Sequence, residues 1–132
     1  MFDDVPAEAL SQHRAEIAAD ALATARTIAA GYLSRGPGDG IDPVLVAETL
    51  IRRDASDSFY ERLAPFEKRW ALLVIRLLHP VADPSDAVKD AVDRGATWAE
   101  IGDALGIARQ TAHKHFSGGS SRRRQNRPIQ ST

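Results

Sequence analysis

Residues 95–116 read GATWAEIGDALGIARQTAHKHF and contain two short helical patterns separated by a glycine. Thr97 and Glu100 have the spacing of a capping box, in which each side chain accepts a hydrogen bond from the backbone N–H of the other residue. A helix is therefore predicted to begin just after Thr97. Gly106 follows that helix and favours a turn, because glycine adopts a positive φ at little cost. The stretch thus predicts a helix, a tight turn and a second short helix.

Apolar residues recur at helical spacing through this stretch and predict which faces are buried. Gly102 falls on the inner face of the first helix, where the absence of a side chain lets a crossing helix approach. Ile107, directly after the turn, is expected to anchor the turn in the core. The predicted inner residues are Trp98, Ile101, Gly102 and Leu105 in the first helix, and Ala112 and Phe116 in the second.

The second predicted helix leaves its polar side chains pointing outward. In a helix-turn-helix that binds DNA, the second helix lies in the major groove with its first residues on base edges. Arginine pairs with guanine and glutamine with adenine through two hydrogen bonds each. The predicted base-reading residues are Arg109, Gln110, Thr111 and His113, and the predicted phosphate contacts here are Thr97 and Lys114.

The stretch resembles the helix-turn-helix of small bacterial regulators and of the promoter-reading C-terminal region of sigma factors. The resemblance covers about 22 of the 132 residues and implies a transcriptional regulator whose second helix reads DNA. One departure is Ala108, because such families place a serine there that caps the recognition helix, and a lost cap costs about 1 kcal/mol. The residues that match the family pattern are Gly95, Thr97, Glu100, Ile101, Gly102, Leu105, Gly106, Ile107, Thr111 and Ala112.

Charge is distributed unevenly along the chain. All 18 acidic residues and 11 of the 17 basic residues lie in residues 1–104, a net charge of −7, whereas residues 105–132 carry +6. An acidic body with a basic end is the asymmetry expected when one end meets a polyanion. The tail, residues 117–132, has no apolar periodicity and is predicted to be disordered. Its predicted phosphate contacts are Arg122, Arg123, Arg124 and Arg127, the alternative being a solvated terminus.

The rest of the chain also predicts helices, so the fold class is all-α. We expect a helical bundle for dimerisation or support in residues 1–80, a three-helix unit with the helix-turn-helix in 84–116, and the basic tail in 117–132. Residues 66–78 are apolar almost all round and predict a central helix or one buried in a dimer. The first helix carries a broad apolar stripe for the core or a dimer, formed by Leu10, Ile17, Ala18, Ala21, Leu22, Ala25, Ile28, Ala29 and Tyr32.

Composition excludes several classes of protein. The chain has no cysteine, which excludes a disulfide framework, a thiolate nucleophile and a cysteine-based zinc site. The acidic start, MFDDVPAEAL, lacks the features of a signal peptide. No apolar run approaches the roughly 20 residues that span a bilayer. We therefore expect a cytoplasmic protein without membrane contact.

No arrangement of residues predicts catalysis. His113 and His115 are two positions apart, which places them on different sides of a helix, so a shared metal ion is not expected. We expect no enzyme, no metal and no cofactor. The expected partner is double-stranded DNA, and a homodimer is expected because dimers match half-sites one helical turn apart; a monomer is the alternative.

A second function stays open on the sequence. Helix pairs of this form also occur as plain packing units, and the acidic body could dock another protein. In that interpretation the chain is a protein-interaction adaptor, and its helix-turn-helix is a packing or docking element. Loss of salt-sensitive DNA binding in a variant without Arg109 and Gln110 separates the two interpretations.

Overall fold

Residues 5–36 and 39–117, which the computed structural model describes, form helices and contain no strand. The all-α prediction is therefore confirmed. The predicted tail, apart from Ser117, lies outside the described residues. The helices are α1 (Ala7–Leu33), α2 (Pro43–Arg52), α3 (Ser58–Leu63), a 3₁₀ turn (Ala64–Phe66), α4 (Glu67–Leu78), α5 (Ser85–Asp93), α6 (Trp98–Leu105) and α7 (Arg109–Phe116).

Aspartate side chains mark the starts of three helices. Asp42 accepts a hydrogen bond from the Val44 N–H at 2.8 Å, directly before α2. Asp57 caps α3 in the same way. Before α5 the carboxylate of Asp83 accepts from both the backbone N–H and the hydroxyl of Ser85. These local hydrogen bonds satisfy backbone donors that a helix start otherwise leaves without a partner.

The helix α4 lies at the centre and packs against α1, α5 and α6. Its residues Trp70, Ala71, Val74, Ile75 and Leu78 are buried. The position agrees with the apolar composition that predicted a core helix. In the described part of the chain, no helix is both long enough and apolar enough to cross a membrane.

The broad apolar stripe predicted on α1 is only partly buried. Ala25 and Ala29 lie in the core, whereas Ile17, Ile28 and Tyr32 are 67%, 48% and 57% exposed. The contacts with α2 and α4 use the small residues of α1, because alanine lets helix backbones approach closely. Ile28 and Tyr32 lie beside this contact and Ile17 lies before it along α1, so only part of the predicted stripe packs within the chain.

Arg94, at the end of α5, forms a buried ion network that the sequence patterns did not predict. Its side chain is only 2% exposed. Nη1 donates to Glu67 Oε1 and Nε donates to Asp90 Oδ2, each at 2.9 Å. The guanidinium also lies 4.9 Å from the centre of the Trp70 ring. The network therefore joins α4 to α5.

The same network reaches the N-terminal helices. The Tyr60 hydroxyl of α3 donates to the Glu67 carboxylate at 2.9 and 3.0 Å. Arg53 Nε, at the end of α2, lies 3.5 Å from Glu67 Oε1. Trp70 Nε1 donates to the Arg26 carbonyl in α1 at 3.1 Å. One set of side chains thus joins α1, α2 and α3 to α4 and α5, the helices against which α6 and α7 pack.

Candidate nucleic-acid interface

The candidate interface begins at the capping box of α6. Glu100 N–H donates to Thr97 Oγ1 at 3.1 Å, and Thr97 N–H donates to Glu100 Oε1 at 2.9 Å. The spacing of these two residues predicted this pair of hydrogen bonds. The other carboxylate oxygen of Glu100 lies 3.2 Å from Lys68 Nζ of α4. Glu100 therefore both caps α6 and joins α6 to the central helix.

The pKa of Glu100 is lowered from its ordinary value of 4.5, first by the hydrogen bond from the Thr97 N–H and then by Lys68. A carboxyl group with a lowered pKa in the folded state stabilises that state above its unfolded pKa. This contribution is lost as the pH falls through the folded pKa. Because the side chain is 35% exposed, the effect is small.

Acid titration of the unfolding free energy tests this role of Glu100. We expect the parent to be more stable than Glu100→Gln at neutral pH, and the difference to shrink as the pH falls below the ordinary pKa of 4.5 and through the lowered folded pKa. Glu61→Gln, a change on an exposed residue of α3, is the control. A stability difference that stays constant down to pH 3 would contradict the assigned role.

The turn between α6 and α7 depends on two glycines. Gly106 ends α6 with a φ of +75°, a conformation that favours glycine. A Cβ on Gly102 would lie only 2.8 Å from the Ile107 carbonyl oxygen and 3.3 Å from the Arg109 nitrogen. The backbone of the turn and of the first α7 residue thus comes close to Gly102, on the face where the prediction placed the approach of another helix.

The turn is held by its backbone and not by the predicted apolar anchor. Ile107 N–H donates to the Gly102 carbonyl at 2.9 Å. The Ile107 side chain is 36% exposed, so its predicted burial in the core is wrong. The backbone of Ile107, and not its side chain, faces α6, since its carbonyl oxygen would lie 2.8 Å from a Cβ on Gly102. The hydrogen bond from the Ile107 N–H fixes the turn that leads from α6 to the start of α7.

Gly102→Ala is expected to destabilise the protein by about 1–2 kcal/mol, because the overlap of Cβ with backbone atoms exceeds the roughly 1 kcal/mol gain in helix propensity. Urea unfolding measures the change. Gly31→Ala in α1 is the matched control, since a Cβ there meets no atom within 4 Å. The control should be neutral or stabilising. Equal stability of the two variants would contradict the close approach at Gly102.

The helix α7 buries one residue completely and exposes its polar side chains. Ala112 is 0% exposed and packs in the core. All four predicted base-reading residues are exposed, as is the predicted phosphate contact Lys114. Gln110 lies three and four residues before His113 and Lys114, so these three side chains share one face. Arg109 is the first residue of the helix. Thr111 lies beside Gln110, on the side away from His113.

Two further details concern the start of α7 and the side chain of His113. Ala108, before the first helical residue, makes no side-chain capping hydrogen bond, as its departure from serine implies. His113 packs edge-on against Trp98 of α6, with ring centroids 5.3 Å apart and planes at 88°. Trp98 was predicted only as an inner residue and is half-buried. It therefore also orients a side chain on the exposed face.

The remaining predicted residues are placed as follows. Thr97 is exposed at the start of α6, with its hydroxyl oxygen accepting from Glu100. Arg122, Arg123, Arg124 and Arg127 lie outside the described residues. Lys68 and Arg94, which position α6 and α5, were missed because both act through partners distant in sequence.

Comparison of the chain with protein-family models, curated proteins and solved structures finds no match.

Proposed function

We propose that the protein binds double-stranded DNA sequence-specifically and regulates transcription, with α6, its turn and α7 acting as a helix-turn-helix. The observation that carries the proposal is α7 itself. It is an eight-residue helix that buries Ala112 and exposes Arg109, Gln110, His113 and Lys114. A short, firmly positioned helix with a polar outer face suits the major groove, which admits one helix.

The base-reading roles follow from position along α7. Arg109 and Gln110 occupy the first turn, the part of a recognition helix that contacts base edges. Arg109 is proposed to pair with guanine and Gln110 with adenine, each pair contributing roughly 1–3 kcal/mol of discrimination. Thr111 and His113 flank them. The contact with Trp98 limits the positions of the His113 ring, which favours a defined contact over a mobile one.

Phosphate contacts are proposed around this face. Lys114 follows the base-reading residues, and Thr97 presents a hydroxyl from the start of α6. The first N–H groups of α7 have no side-chain cap from Ala108, and N–H groups at a helix start bind phosphate oxygens. Arginines of the tail would add affinity through charge and little sequence information.

The proposed partner is consistent with the distribution of charge. Within residues 104–117 there is no acidic residue, whereas Arg109 and Lys114 are basic. Binding that neutralises phosphates weakens steeply as salt rises. Two copies of the protein would present two α7 helices to half-sites one turn of DNA apart. The proposed setting is the cytoplasm of a bacterial cell.

Binding of the protein to a library of random DNA duplexes at two salt concentrations, followed by sequencing of the bound duplexes, tests the proposal. We expect one motif to enrich, and its affinity to fall steeply between 50 and 200 mM salt, by about 10³-fold if six phosphates are contacted. Salt-sensitive binding without enrichment would overturn sequence reading by α7 and assign binding to charge alone. Absence of binding at both concentrations would overturn the proposal and favour the protein-interaction adaptor.

A further inference from the structure

A groove lies between α1, α2 and the start of α5. Its volume is about 600 Å³. Apolar side chains line much of it, and two of them, Val44 and Ile51, are 51% and 45% exposed. Its charged lining residues are three carboxylates and one guanidinium, those of Glu48, Asp83, Asp86 and Arg26. The groove is thus apolar with a mainly acidic rim, and we call it the acidic groove.

A smaller cleft joins the acidic groove to the end of α7. The cleft has a volume of about 320 Å³ and is lined by residues of α5, α6 and α7, including Trp98 and Phe116. Asp86 lines both the cleft and the acidic groove, and the cleft adds Asp93 and Lys89. The cleft and the groove together present four carboxylates and two basic residues, a net charge of −2 with histidine neutral. An acidic surface therefore extends from α7 to α2.

Three of these carboxylates have no counter-charge. Within residues 5–36 and 39–117, the side chains of Glu48, Asp86 and Asp93 form no ion pair and no hydrogen bond. Arginine suits such a surface, because its apolar stem covers apolar side chains while its guanidinium binds a carboxylate. Arginine also stacks on aromatic rings such as those in the cleft. The surface thus favours an arginine-rich segment as its occupant.

The chain itself contains a segment of this composition. Residues 118–132 have no acidic residue and a charge of +4, contributed by Arg122, Arg123, Arg124 and Arg127. This tail follows Ser117, and the neighbouring Phe116 lines the cleft. Arg122 is six residues beyond Phe116, and six residues reach at most about 20 Å. The first arginines of the tail are therefore tethered at the edge of the acidic surface.

We propose that the tail, residues 118–132, docks into the cleft and the acidic groove of its own chain, with its arginines on Asp93, Asp86 and Glu48. A short tether gives an effective concentration of about millimolar. A contact too weak to hold a separate peptide is therefore populated within one chain. Charge also selects this groove, because another groove, beside Tyr32, has two arginines and no acidic residue of the described chain in its lining. Docking itself does not rest on DNA binding.

Disulfide formation in the full chain tests the contact, since the chain has no cysteine of its own. One cysteine is placed among the tail arginines by Gln125→Cys and the other in the acidic groove by Ile51→Cys. We expect this pair to form an intramolecular disulfide at least about 10-fold faster at low salt than the pair Gln125→Cys/Ile28→Cys. Ile28 is the matched position, because it is 48% exposed and lies on the side of α1 away from the groove. Equal rates for the two pairs would overturn the proposal.

Removing the carboxylates separates docking from the length of the tether. Glu48→Gln/Asp86→Asn should slow the disulfide between positions 125 and 51 to the rate of the Ile28 pair, as should 1 M salt, which screens exposed charges. Glu61→Gln/Asp39→Asn removes two exposed carboxylates elsewhere and should leave the rate unchanged. A fast rate that does not depend on Glu48 and Asp86 would overturn the proposal. Disulfides between two chains, and none within one, would overturn docking within its own chain.

A docked tail would compete with DNA for the same arginines, a consequence that rests on the proposed function. Glu48→Gln/Asp86→Asn should bind scrambled duplexes at least about 3-fold more tightly than Glu61→Gln/Asp39→Asn, because apparent affinity scales with the fraction of chains whose tail is free. With the four tail arginines replaced by serine, the two variants should bind equally. Fluorescence anisotropy at low salt measures both comparisons. Equal binding while the arginines are present would overturn the competition. Fast disulfide formation without DNA binding by any variant would support docking and overturn the proposed function.

Discussion

Replacing Arg109 and Gln110 together by alanine is expected to lower the affinity for the preferred duplex by roughly 30-fold to 10⁴-fold, since each bidentate base contact contributes about 1–3 kcal/mol. Binding to unrelated duplexes should fall much less, because Lys114, Thr97 and the tail arginines keep their proposed phosphate contacts. Both side chains are exposed, and α7 packs against α6, so the variant should fold normally. Fluorescence anisotropy with specific and scrambled duplexes measures the ratio of the two affinities.

The matched control removes one glutamine and one arginine elsewhere. Gln12 and Arg62 are exposed on α1 and α3, and Gln12→Ala/Arg62→Ala changes the net charge by the same amount. We expect the control to keep its preference for the specific duplex. Equal loss of affinity for specific and scrambled duplexes in the α7 variant would mean that α7 supplies charge and not sequence recognition. Unchanged binding would exclude α7 from the interface.

Arg94→Ala is expected to destabilise the protein by about 3 kcal/mol, because the Glu67 and Asp90 carboxylates would lose their shared buried cation. The estimate is at the low end for buried pairs, since Glu67 and Asp90 are 14% and 21% exposed. Loss of the contact with the Trp70 ring adds to the effect. Thermal unfolding should show a fall in Tm of about 10 °C.

Arg62→Ala is the control for this prediction, as it removes an exposed arginine from α3. Surface substitutions of this kind change stability by at most about 0.5 kcal/mol. The difference between the two variants should persist in the presence of salt, because buried pairs are screened much less than exposed ones. If Arg94→Ala were no more harmful than Arg62→Ala, the network would not be what joins α4 and α5.

Features that depend on residues close together in the chain followed from the sequence. The capping box of Thr97 and Glu100 needs only a three-residue spacing, and the turn at Gly106 needs only a residue that tolerates a positive φ. The all-α fold follows in the same way from helical periodicity and from the aspartates that start helices. On α7 the same periodicity predicted both the burial of Ala112 and the exposed polar face. Each of these is decided by backbone geometry within a few residues.

Contacts between distant residues were decided by tertiary structure alone. Arg94 is 27 residues from Glu67, and Trp70 is 44 from the Arg26 carbonyl, so neither pairing leaves a periodic signal. The exposure of Ile17 depends on how far the other helices reach along α1, because every residue from Ala7 to Asp20 except Ala9 is exposed, whereas Ala25 and Ala29 are buried. For Gly102, the sequence by itself determined that the residue faces inward. The fold decided that the turn and the first residue of α7 fill the space, because the path of the chain after Leu105 determines which atoms lie next to Gly102.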